Sequence, residues 1–168
     1  GVSMFNLNSI FEGGGLKIDG LKHYIGDYKL RHTLSPWDII VANTEQGHER
    51  LLLASPALIP HNLNDDSIFT QHVYRIRSKN ADIINQLYLY HLLKEDNLRD
   101  LISRYGNGTT VNMLPMDALK RPAIVLPPSE LMGKFSEMVT PLQLHIEKTP
   151  GQIKNLQAIR EALLPRLL

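Results

Sequence analysis

The chain of 168 residues contains no cysteine. That excludes a disulfide framework, a thiolate zinc site and a cysteine nucleophile. Its histidines (His23, His32, His48, His61, His72, His91 and His145) include no pair three or four apart, so no single helix presents two imidazoles to a metal. Charge of one sign is also scarce. The formal net charge is +1, and any binding of nucleic acid must come from local patches rather than a global excess. No apolar run approaches the roughly 18 residues of a membrane span, and the N-terminus lacks a charged-then-apolar signal pattern. The expectation is a cytoplasmic protein with no membrane association.

Catalytic signatures are missing as well. No Glu-x-Lys of the common metal-dependent nucleases occurs, nor a G-x-S-x-G elbow, nor a Walker A loop. Gly106-x-Gly108 begins like a dinucleotide fingerprint, but Val111 stands where the third glycine belongs and the motif follows a helical segment, not a strand. In "LPPS", Leu126 to Ser129, a leucine replaces the polar residue and a serine the stacking ring with which amino-methyltransferases grip a flipped base. The reading is a non-enzyme with no catalytic residue, metal or cofactor.

What is present falls into two regimes. With 43% hydrophobic residues the chain can bury an ordinary core. Up to about Leu126 the text is mixed, with short apolar runs "DIIVA" (Asp38 to Ala42), "RLLLAS" (Arg50 to Ser55) and "HVYRIR" (His72 to Arg77) bounded by turn-formers, which read as strands. Alternation in the last puts Val73, Arg75 and Arg77 on one face, and His72, Tyr74 and Ile76 on the other. From Asp82 to Tyr105 the period turns helical (Ile84, Leu87, Tyr88, His91, Leu98, Leu101, Ile102, Tyr105), with Gly106 as a C-cap. Ala123 to Leu126 then reads as a buried strand closed by Pro127 and Pro128. The fold class is α+β: a mixed or antiparallel twisted sheet with flanking helices, followed by a long C-terminal helical spacer.

That spacer begins at Ser129, an N-cap after the prolines. Its apolar positions (Leu131, Phe135, Met138, Leu142, Ile146, Ile153, Leu156, Ile159, Leu163 and Leu167) form a stripe that wants a partner. Two segments, "TPLQ" at Thr140 and "TPGQ" at Thr149, each offer a capping threonine, a proline at the first helical position and a glutamine three residues on. An interior proline costs roughly 3 kcal/mol. A break or kink is therefore predicted near Pro150, and on the same chemistry near Pro141.

The order of segments resembles one half of a type I restriction-modification specificity subunit. The likeness rests on "WDIIVANTEQG" (Trp37 to Gly47), "LLLASPALIP" (Leu51 to Pro60), "IFTQHVYRIR" (Ile68 to Arg77), "GNGTTVNMLPMDALKRPAIVLPP" (Gly106 to Pro128) and "LQAIREALLPRLL" (Leu156 to Leu168). There are two departures. Trp37 stands where members commonly carry glycine, and Pro150 with Gly151 interrupts a usually long helix. The resemblance implies a target recognition domain over 1–128 and a helical conserved region over 129–168. It implies a subunit that does not catalyse but reads one half of a bipartite double-stranded DNA target, while modification subunits methylate adenine and a motor-nuclease subunit cleaves. One recognition domain's worth of sequence implies a half subunit or fragment, so that two copies would pair as a dimer through a coiled coil of the stripe (Leu142, Ile146, Ile153, Leu156, Ile159, Leu163, Leu167).

Base reading needs side chains with paired donors and acceptors on loops. The loop "NTEQGHER" offers Asn43, Thr44, Gln46, His48 and Arg50, though the same residues serve equally in a hairpin turn. "NGTTVN" offers Asn107, Thr109, Thr110 and Asn112, where a helix end feeding a strand is the plainer reading. Arg75, Arg77 and Lys79 are the phosphate candidates, against an ordinary solvated strand face, and Tyr24, Lys29 and Arg31 can extend that surface. The competing function is a helical oligomerisation or scaffold module whose globular domain binds protein.

Overall fold

The computed structural model describes residues 1–46, 49–63, 66–81, 83–108 and 110–167, with side chains of the final helix described up to 159 apart from 154. The organising element is β3 (Ile39–Ala42), which pairs antiparallel with β5 (Pro56–Leu58) and β7 (Val73–Ile76) on its two sides. Its run of four apolar residues follows from its position: both faces are covered. Ile39 and Val41 point into a cluster with Leu53, Leu58, Leu87, Tyr90, Ile102 and Leu114. Ile40 and Ala42 point into a second cluster with Phe5, Ile10, Ala57, Ile59 and Val73. Period-two alternation thus feeds two cores from one strand.

A second sheet, β2-β1-β6, covers the second cluster. β1 (Val2–Phe5) pairs antiparallel with β2 (Lys22–Tyr24) and parallel with β6 (Ser67–Phe69). The third is a two-stranded ribbon of β4 (Thr44–Gln46) and β8 (Val111–Met113). Helices α1 (Gln86–Lys94) and α2 (Asp96–Ser103) cover the first cluster, and α3 (Ser129–Leu167) packs along α1. The architecture is α+β, with the sheet surface divided among three small sheets rather than gathered in one.

Five local expectations are corrected. "RLLLAS" is a turn, not a strand: the Glu45 carboxylate accepts the N–H groups of Leu52 (3.2 Å) and Leu53 (2.8 Å), and Arg50 and Ala54 take positive φ. The helical stretch from Asp82, a residue outside those described, is two helices. Glu95 is extended, ends α1, and caps α2 by accepting the Leu98 N–H. Residues Ala123 to Leu126 form no strand and are exposed; prolines at 122, 127 and 128 deny ladder donors, and the strand of this region is β8 instead. Gly106 accepts no left-handed duty. It is glycine because a Cβ would sit 2.5 Å from the Leu53 side chain.

The fifth correction is the spacer. α3 runs through Pro141 and Pro150 as one helix of 39 residues, about 58 Å long. The Thr149 hydroxyl donates backwards to the His145 carbonyl (2.9 Å), as an interior threonine does, rather than acting as a cap. Each proline removes one ladder bond, and the turns around Pro141 are held by packing of Phe135 and Val139 on the first core cluster.

Candidate nucleic-acid interface

The two polar segments singled out in the sequence come together. Thr44 pairs with Met113, Glu45 with Asn112 and Gln46 with Val111, so "NTEQ" and "TVNM" are the strands of the ribbon. The ribbon's base is internal. Asn43 is buried, its amide donates to the Gln71 carbonyl (3.0 Å), and its backbone carbonyl accepts the Leu114 N–H (2.7 Å). Thr44 is buried and donates to the Asn43 side chain; Asn112 is buried opposite Glu45. These three brace the ribbon rather than offer themselves to a ligand.

The ribbon's far end is polar and open. Gln46, Asn107 and Thr110 are exposed, and Asn107 exchanges both backbone hydrogen bonds with Met113 (2.8 and 2.9 Å) to close the loop. Gly108 holds φ at +134°, and a Cβ there would lie 1.9 Å from the Val111 carbonyl, so the turn requires glycine. His48 and Thr109 lie outside the described residues. Arg50, half-buried, donates to the Ser103 carbonyl (3.4 Å) and ties the loop's return to α2.

One of the arginines at β7 does other work. Arg77 grips Asp38 with Nε on Oδ1 and Nη2 on Oδ2, both at 2.6 Å, and reaches the Ser35 hydroxyl at 2.9 Å. The Asp38 side chain is 2% exposed and that of Arg77 48% exposed. The bond to that carboxylate raises the Arg77 pKa further above its ordinary value. Arg77 extends past the Ile39 end of β3, whereas the ribbon leaves from the Ala42 end, about 16 Å away at strand spacing. Lys79 is exposed beyond Arg77. Arg75 donates to the Thr33 carbonyl (2.7 Å) and lies over the Phe69 ring, 5.8 Å from its centroid.

Phe69 belongs to an open groove of about 860 Å³. Tyr24, Tyr28, Lys29, Arg31, His32, Gln71 and His72 line it, and Lys29 and Arg31 are exposed. His72 joins groove to ribbon, its Nδ1 lying 3.3 Å from the Thr44 hydroxyl. The result is a basic and aromatic hollow that continues into a polar two-stranded projection. Cations suited to phosphates and amides suited to base edges are thereby contiguous. Tyr28, His32, Gln71 and His72 were not among the residues read as ligand-facing. For Tyr28 and His32 the signal was available in "HYIGDYKLRH", where aromatic and basic residues interleave, whereas Gln71 and His72 lie in "IFTQHVYRIR" at the approach to a strand. Among the described residues, no cluster of three or more acidic or imidazole side chains could hold a metal, and no helix is long and apolar enough to cross a membrane.

A family model described as the type I restriction modification DNA specificity domain matches residues 44–157. The chain belongs to that family. The match begins in the ribbon and ends well along α3, spanning both polar strands and the helix. Among related proteins, the type I restriction enzyme MjaIX specificity subunit of Methanocaldococcus jannaschii is 38% identical over 61 residues, which is 36% of this chain and 14% of that subunit. A chain from a solved structure on complex assembly and conformational transition of the type I R-M system superposes with a TM-score of 0.60 at 22% identity. It covers 97% of this chain and 40% of the neighbour, and it shows the fold. The specificity-domain chain described here therefore spans well under half of either relative.

Proposed function

We propose that this specificity domain is a non-catalytic reader of double-stranded DNA that recognises one half of a bipartite target within a type I restriction-modification assembly. Residues 1–128 act as the recognition domain and 129–168 as the spacer. Partner subunits supply adenine methylation and cleavage. The observation that carries the reading is the junction at Thr44 and His72, where the basic and aromatic groove meets the ribbon built from the two polar segments. Lys29, Arg31 and Arg75 hold phosphates in this reading, while Gln46, Asn107 and Thr110 face base edges.

The spacer's exposed apolar face supports pairing. Leu142, Ile146, Ile153, Leu156 and Ile159 are each at least half exposed, which is unusual for so regular a stripe on a lone helix. Leu163 and Leu167 continue its spacing, and their side chains lie outside the described set. Two copies joined along this face would carry two recognition domains and read a gapped, palindromic site.

The test is binding of the chain to duplex DNA at several salt concentrations, alone and with an adenine methyltransferase subunit of the type I kind. Three phosphate contacts per domain predict a log–log slope of about −2.7, or roughly a 40-fold loss of affinity between about 50 and 200 mM salt. Affinity that ignores salt, or no binding with the methyltransferase present, removes this function.

A further inference from the structure

Trp37 is held in a backbone conformation that suits glycine. Pro36 and Trp37 occupy the centre of a turn in which the Asp38 N–H donates to the Ser35 carbonyl (3.0 Å), and Trp37 sits at φ +63°. That is the third position of a type II turn, where glycine is the ordinary occupant. A bulky residue there is strained, and such strain persists where the surroundings use the side chain.

The use is visible. The indole Nε1–H donates to Glu147 Oε1 on α3 (3.3 Å), and the indole lies against the His61 ring, tilted 58° with centroids 5.0 Å apart. The other Glu147 oxygen accepts the His61 backbone N–H at 2.7 Å, and Gln143 also donates to Oε1 (3.1 Å). The helix is therefore held at two places. At its base Met132 is buried and Phe135 packs edge-on against Tyr88 and His91. About 20 Å further along, Glu147 is clamped by two loops of the body. Past the latch every described side chain from 151 to 159 is exposed.

We propose that Trp37 and Glu147 are positioning residues: a latch that fixes the direction in which the spacer leaves the recognition domain, and so the distance between the half-sites read. This rests on the function proposed above. The lever is long. From Glu147 to Leu167 is about 30 Å of helix, so a tilt of about 10° moves the far end by about 5 Å, more than the roughly 3.4 Å rise of one base pair. Base packing alone leaves that angle to a single cluster of side chains near the helix start.

The chain's lack of cysteine allows labels at Asp19→Cys on the body and Asn155→Cys on the helix, with their separation read by pulsed dipolar spectroscopy in the full chain diluted into unlabelled chain, so that only the distance within one copy is read. The latched form gives one distance. Trp37→Phe, which keeps a ring but loses the donor, and Glu147→Ala should both lose that single peak, while Glu147→Gln, which keeps only one of the two acceptor oxygens in use, should broaden it. With the methyltransferase subunit, the first two variants should accept half-site spacings one or two base pairs off the optimum that the parent rejects, with affinity for an isolated half-site unchanged. An unaltered distance peak in both overturns the latch. A lost peak with unaltered spacing preference overturns its role in half-site distance. A lost peak in variants of a chain that binds no DNA in any form keeps the latch and removes the reading function beneath it.

Discussion

Replacing Arg77 with alanine separates two roles that one arginine could hold. In this structure the guanidinium is bidentate on a carboxylate that is 2% exposed, and the Ser35 N–H (2.8 Å) is the other donor to that carboxylate. Removing one partner of a buried ion pair costs about 3–5 kcal/mol because the remaining charge is stranded. Arg77 itself is 48% exposed, so water enters the space it leaves and relieves part of that cost. About 2 kcal/mol is the expected loss, and for a chain of this length it corresponds to about 4–8 °C in Tm. The assay is thermal or urea denaturation of Arg77→Ala, Asp38→Asn and the double variant. The double variant should be less destabilised than the sum of the singles, because removing both members strands neither. The salt dependence of DNA binding should be unchanged. A Tm that stays within about 1 °C, together with a salt slope reduced by about 0.9, would refute the reasoning: the arginine would then be a phosphate contact and the Asp38 pair dispensable.

Three further outcomes follow from the same geometry. Lys29→Ala and Arg31→Ala should each lower the salt slope of DNA binding by about 1 and weaken all duplexes alike, with little change in Tm, as measured by fluorescence anisotropy across a salt series. Ile40→Ala, in the strand that feeds both cores, should cost about 2–5 kcal/mol by urea titration, with surface groove residues unaffected in chemistry. Glu95 caps α2, and the Leu98 N–H holds its carboxyl below the usual range. That contribution is complete above the ordinary glutamate pKa of about 4.3 and is lost as pH falls through the lower folded-state value, so Glu95→Gln should flatten the acid limb of the stability–pH curve.

The parts of the fold that depend on local periodicity were legible. "DIIVA" contains β3 because a doubly covered strand must be apolar on both faces, and "HVYRIR" contains β7. The start of α3 at Ser129 follows from prolines that end one segment and a serine that opens the next. What was not legible depends on contacts between distant residues. "RLLLAS" has strand composition but is bent into a turn by Glu45, a carboxylate several residues upstream. The split at Glu95 carries no glycine or proline to mark it. The prolines of α3 looked like breaks because their local cost is real, whereas the turns around them are held by the body.

The candidate site divides in the same way. Residue type singled out two polar stretches that the fold brings together as the two strands of one ribbon. It could not separate the members that brace the ribbon, Asn43, Thr44 and Asn112, from those left open, Gln46, Asn107 and Thr110, because that depends on burial. Nor could it tell that Arg77 has an internal carboxylate to hold, since Asp38 is 39 residues away in the chain. The groove escaped for a related reason: its lining comes from the 24–32 and 68–72 segments, which the pairing of β1 with both β2 and β6 and the bridge of Thr33 to Ile68 bring together.

The central claim is that this chain reads one half of a gapped DNA target and that pairing through α3 places two such readers on one duplex. It is tested most directly by incubating the full chain with an adenine methyltransferase subunit of the type I kind and a pool of randomised duplexes, then sequencing what is retained. The account predicts enrichment of a bipartite motif, two short elements separated by a fixed unspecified gap. Retention of duplexes with no shared motif, or with a single contiguous one, would contradict it.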